Sequence, residues 1–85
     1  MNKYLINCEK IDSREEMHTA LSNALSFPDW YGRNLDALYD MLTDIGEETL
    51  IQLVDWSSLG DFAMGFANVM AQAALDNPKL SILLN

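Results

Sequence analysis

The sequence is poor in the residues from which most catalytic and metal centres are built. One cysteine, Cys8, and one histidine, His18, occur in 85 residues. No disulfide can form within the chain, and no thiolate and imidazole set is available for zinc. A Cys8–His18 dyad would lack a third group to orient it. Cys8 therefore reads as a small buried hydrophobe, and His18 as a partly exposed residue on the rim of its helix. Basic residues are scarce too: five Lys and Arg stand against thirteen Asp and Glu, for a net charge of −8. That balance argues against nucleic acid or an anionic membrane as partner. It permits fast, steered encounter with a basic protein, although solubility alone is the plainer use of the same charge. The glycines at 32, 46, 60 and 65 match no phosphate-cradling spacing, and Gly32 is expected to supply a loop conformation with positive φ. Long apolar runs are missing as well. KYLI is far too short for a signal-peptide core and nothing approaches a membrane span, so a reducing cytoplasm is the expected location.

What is present suffices for one small core. Nearly half the residues are apolar, 49%, and the length suits one domain over residues 1–85. KYLIN (Lys3–Asn7) reads as a first strand. In DSREEMHTALSNALSF, Asp12 or Ser13 can cap a helix with Glu15 or Glu16 as the box partner. Met17, Ala20, Leu21, Ala24 and Leu25 then fall at i, i+3, i+4, i+7 and i+8. Pro28 closes that segment, DWYGRN is a loop, and Asn34 caps a second helix from Leu35 to about Thr43. ETLIQLVDW (Glu48–Trp56) is a second strand, continuous enough in apolar residues that both faces are expected to be covered. A third helix from about Asp61 to Leu75 groups Phe62, Phe66, Val69, Met70 and Ala73 on one face. Asp61, Gly65, Asn68, Gln72 and Asp76 line its polar edge, and Asn77-Pro78 stops it. LSILL (Leu80–Leu84) is the last strand. The order predicts an α/β fold: a small three-stranded parallel sheet with three main helices packed on it.

The stretch PDWYGRNLDALYDML holds the chemistry that the rest of the chain lacks. On a wheel of about 100° per residue with Asp36 at zero, Asp40 lies at about 40°, Thr43 at about −20° and Tyr39 at about −60°. Leu35, Leu38, Met41 and Leu42 take the other half. The second helix is thus anchored by one side and presents two carboxylates and a tyrosine on the other, with Trp30, Tyr31 and Asn34 in the loop leading in. Three readings fit. Asp36 can simply complement the helix dipole, with Asp40 as solvated surface. Asp36, Asp40 and Asp44 can be ligands for Mg²⁺ in a hydrolase, although only Arg33 stands nearby to hold a phosphate. Or carboxylates ringed by Trp30, Tyr31 and Tyr39 can form a protein-binding surface in which desolvated acids meet Arg or Lys.

WYGRNLDALYDMLT resembles the signature of the barstar family, intracellular inhibitors of secreted bacterial ribonucleases: aromatic, Tyr, Gly, any residue, Asn, Leu, Asp, Ala, Leu, aromatic, Asp. YLIN, REEMHTAL with its histidine, SFPDWYG and LSILL extend the resemblance along nearly the whole chain, and the element order matches. The resemblance implies a non-enzymatic protein without cofactor or metal. It would be an immunity protein that plugs a basic ribonuclease, or a ribonuclease toxin domain, with the second helix and its preceding loop, and would be a monomer when free. Asp40 would mimic an RNA phosphate, Asp36 would pair with other basic groups, and Trp30, Asn34, Tyr39 and Thr43 would contact the rim; Tyr31, from the ring of aromatics in the interface reading, and Asp76, the acid near Gln72, are the further expected contacts. Trp30 and Tyr39 exchange the family's usual Tyr and Trp. Arg33 puts a cation where an acid often stands, Ile45 replaces an aromatic, and Gln72 replaces a third-helix acid. A carboxylate–metal hydrolase and an interaction module without a ribonuclease target are the alternatives carried forward.

Overall fold

A computed structural model describes all 85 residues. Three strands, β1 (Asn2–Asn7), β2 (Thr49–Val54) and β3 (Leu80–Leu84), form one parallel sheet in the order β1-β2-β3. Parallel neighbours need long crossovers. The β1–β2 crossover holds α1 (Arg14–Leu25) and α2 (Leu35–Thr43), and the β2–β3 crossover holds α3 (Ala63–Asp76). The predicted α/β architecture is therefore the observed one, with α2 and β3 at their expected bounds and the ends of β1, β2 and α3 shifted by at most two residues. Two one-turn 3₁₀ helices are additional to the expected elements: Cys8–Lys10 after β1, and Trp56–Ser58, which takes Trp56 from the end of the expected second strand.

Each helix begins or ends for a local reason. Ser13, not Asp12, caps α1: its hydroxyl accepts from the Glu16 amide at 3.2 Å, while the Glu16 carboxylate accepts from the Asp12 amide at 2.9 Å. The Ser13 hydroxyl thereby satisfies an amide that the first helical turn leaves unpaired, and the Glu16 carboxylate one just ahead of the cap. Ser26 ends α1 in the left-handed region at φ 57°. Asn34 caps α2, its side-chain oxygen accepting from the Ala37 amide at 2.8 Å.

The sheet is covered on one side only. Ile6, Ile51, Leu53 and Leu80 are buried and share a common core with Met17 and Leu21 of α1, Leu38 and Leu42 of α2, and Phe66, Met70 and Ala73 of α3. The expectation that β2 is covered on both faces is corrected here, since its burial alternates residue by residue. In the register Leu5↔Gln52↔Leu83 the other face is open, with Leu5 64% and Leu83 43% exposed. The continuous apolar run in β2 reflects an uncovered apolar face, not a second layer of helices. β3 is also an open edge. The Thr49 amide donates to Lys79 O and the Asn85 amide to Leu53 O, so the odd-numbered residues bond β2 while Ile82 and Leu84 turn their amides and carbonyls outward. No charged residue occurs in that strand. Where α2 and α3 cross, Gly65 is close-packed: a Cβ there would lie 3.2 Å from Leu35 Cδ1. Its place on the polar edge of α3 hides this packing role.

Candidate functional site: the acidic face of the second helix

α2 is held from below by Leu38 and Leu42, both fully buried. That anchoring fixes the opposite side outward. Asp36 and Asp40 are exposed, as is Asp44 just beyond the last turn, while Tyr39 and Thr43 are half-buried. The structure contains one ion pair, Arg33–Glu15, so no cation neutralises Asp36, Asp40, Asp44 or Asp76. Beside Asp40 lies a groove of about 400 Å³ between Trp30, Gly32, Ala37, Asp40, Met41, Thr43 and Asp44. Trp30 is 76% exposed at its rim. The Thr43 hydroxyl turns back to donate to Tyr39 O at 2.9 Å and Asp40 O at 3.3 Å.

α3 brings in a further carboxylate. The Tyr39 hydroxyl donates to Asp76, and Gln72 Nε2 donates to both Asp76 oxygens at 3.3 Å. These hydrogen bonds, that from Tyr39 foremost, hold the Asp76 carboxyl below its usual range, and the Tyr39–Asp76 bond raises the Tyr39 phenol. Tyr39 thus joins the two helices, and Gln72 acts here as a positioner of Asp76.

The loop before α2 and the part of α1 beneath it depart from expectation at three points. Tyr31 faces inward rather than outward: it is buried, and its hydroxyl shares a 2.7 Å hydrogen bond with His18 Nδ1. Burial pushes its phenol up to about 12, so it stays protonated. His18 is likewise buried, its ring 4.9 Å from that of Phe66. Burial lowers its pKa, assisted by the Arg33 cation and opposed by Glu15. The polar rim at 15, 18 and 19 on α1 carries the signal for this packing, because one residue of such a rim can turn under the loop that crosses it. Third, Gly32 does not adopt positive φ; Arg33 does, at 55°. Gly32 is small for another reason, since a Cβ there would come within 3.2 Å of the Ala37 Cβ. Cys8 is fully buried, and burial, with the nearby Asp55 charge, raises its thiol pKa.

Asn77 has a larger part than stopping α3. Buried, it donates from Nδ2 to Leu42 O and Ile45 O, each at 3.0 Å, and accepts from the Lys79 amide at 3.0 Å. It thereby ties the end of α2 to the entry of β3. No three acidic, histidine or cysteine side chains converge as a metal ion would need. The hydrolase alternative therefore lacks a ligand set, Asp36, Asp40 and Asp44 being strung along a helix. No helix is long and apolar enough to cross a membrane.

Three parallel strands with three helices on one face, the second of them acidic, make this a barstar-like α/β protein. The chain belongs to the barstar family: the family described as Barstar (barnase inhibitor) matches residues 1–76. It is similar to "Putative ribonuclease inhibitor YrdF" of Bacillus subtilis (strain 168), at 36% identity over 78 residues, covering 86% of each chain. Ribonuclease inhibition is accordingly the role this membership supports.

Proposed function

We propose that this protein is an immunity-type inhibitor of a basic bacterial ribonuclease, acting in the cytoplasm as a one-domain monomer and not as an enzyme. The observation that carries the reading is that Asp36, Asp40, Asp44 and Asp76 are all exposed and none is paired with a cation. Such a set costs self-repulsion in the free protein, and a cationic surface relieves it. An active site built to hold phosphate offers Arg, Lys and His, and charge-assisted hydrogen bonds to carboxylate are among the stronger ones available. Asp40 stands in for a phosphate of the RNA, beside the groove that admits a basic side chain. Asp36 and Asp76 pair with flanking cations, and Trp30, Asn34, Tyr39 and Thr43 exclude water around them. Tyr31 serves from beneath, as the anchor of the loop.

The test is inhibition by the purified protein of a panel of basic extracellular ribonucleases and ribonuclease toxin domains. Stoichiometric loss of RNA cleavage for at least one enzyme, with competition by a phosphate-rich polyanion, is the expected result. A protein that binds none of them and instead cleaves a phosphoester with added Mg²⁺ returns the reading to the hydrolase alternative.

A further inference from the structure

Arg33 is a cation in the middle of the loop offered to a cationic enzyme, and it occupies a backbone conformation that only glycine adopts readily. Both features are costs for a surface residue, and the geometry shows what offsets them. Its guanidinium turns away from the acidic groove, whose lining does not include it, and lies against α1. Nη2 donates to Glu15 O at 2.9 Å, to Thr19 Oγ1 at 2.7 Å and to Glu15 Oε2 at 3.2 Å, and Nε donates to the same carboxylate oxygen at 3.2 Å. One side chain thus gathers a backbone carbonyl, a hydroxyl and a carboxylate from two residues one helical turn apart. Two positions earlier, Tyr31 enters the core and bonds His18, on the same helix between those two residues. The loop is therefore attached to α1 at alternate positions, 31 and 33. The intervening Gly32 and the preceding Trp30 are left facing the groove.

We propose that Arg33 is the positioning residue of the docking loop. It clamps the Trp30–Asn34 segment to α1 before the partner arrives, and its charge is spent on Glu15 so that it does not oppose a basic enzyme. The inference rests on the inhibitor reading. Its physical content is preorganisation: a loop already held in the bound shape loses less conformational entropy on association. The clamp is half exposed, with the Arg33 side chain 38% and the Glu15 side chain 75% accessible, and exposed ion pairs add little to folding stability. Its effect belongs to the loop and to binding, not to melting.

Two variants separate this from a structural accident. Glu15→Ala with Thr19→Val removes the clamp from α1, outside the docking face. Arg33→Gly removes it from the loop while relieving the positive φ. In the free protein, amide exchange of Tyr31, whose N–H bonds Pro28 O at 3.0 Å, should speed up at least threefold in both variants with melting near wild type. With a ribonuclease that the wild-type protein inhibits, both should weaken binding by about tenfold, chiefly through faster dissociation, and Arg33→Lys should recover part of the loss. Unchanged exchange in both variants overturns the clamp, whether or not any ribonuclease is bound. Faster exchange with undiminished affinity overturns the positioning role and leaves the inhibitor reading standing. A wild-type protein that inhibits no basic ribonuclease, in the same experiment, removes the inhibitor reading and the positioning role with it, whatever the loop does.

Discussion

At the scale of single residues, the proposed inhibition and the stability of the fold call on different side chains of α2, Asp40 on its exposed side and Leu38 on its buried side. Asp40 is exposed, so Asp40→Ala should leave folding within about 0.5 kcal/mol of wild type. In the complex proposed above, the same change would leave enzyme cations desolvated and unpaired. That costs on the order of 2–5 kcal/mol of affinity, a range to which the barnase–barstar pair itself contributes. Titration of ribonuclease activity and a thermal melt on one sample check both halves. Retained inhibition at wild-type concentrations would remove the phosphate-mimic role. His18 behaves in the opposite way. Burial beside Tyr31 and Phe66, with Arg33 nearby, depresses its pKa, against the pull of Glu15. The unfolded chain, with an ordinary value near about 6.5, takes up the proton first, so stability is full above that pH and declines as pH falls toward the folded pKa. Melting temperature should therefore drop between about pH 7.5 and about pH 5, and His18→Gln should flatten the slope at some cost in overall stability. The lowered Asp76 carboxyl acts only below its ordinary range, so it does not contribute in that window.

Among the elements, α2 carries both an apolar anchor and an acidic face, and substitutions separate the two. Leu38→Ala on the buried side should cost roughly 2–5 kcal/mol of stability, and loss of the Asn34 cap in Asn34→Ala about 1 kcal/mol. Chemical denaturation measures both, and binding should suffer from Leu38→Ala only through the unfolded fraction. The α2 pattern was readable in the sequence because one helix face determines it: Leu38 and Leu42 inward, Asp36 and Asp40 outward follow from a 3.6-residue period alone. What the period could not carry was contact between elements. Tyr31 looks like a surface aromatic until the loop is known to cross α1 above His18. Gly65 looks polar-edged until Leu35 is known to lie against it, and Asn77 looks like a helix stop until the open carbonyls of α2 are known to face it. β2 misled for another reason: alternation and continuity are indistinguishable when the exposed face is itself apolar, as Leu50 and Val54 make it.

For the whole molecule, charge and shape act together. With a net charge of −8 against a basic enzyme, encounter should be steered, and salt should screen that steering beyond about 10 Å at 0.1 M. Stopped-flow association rates should fall tenfold or more from low to high salt while dissociation changes little. A flat response would mean that the charge serves solubility alone. The open edge at β3 gives that charge a second, colloidal duty. Ile82 and Leu84 expose unpaired backbone groups on a strand with no lysine or proline to blunt it, a template on which another copy can add a strand. Mutual repulsion keeps copies apart only while they are strongly anionic. Near the isoelectric point, about 4.2, that repulsion vanishes and the bare edge is free to polymerise. Light scattering should then rise steeply as pH approaches that value, with a gain in β-sheet infrared signal. Leu84→Lys, which plants a charge on the edge, should delay the rise and leave inhibition untouched. An acidic protein with such an edge has a shelf life set by its own charge state.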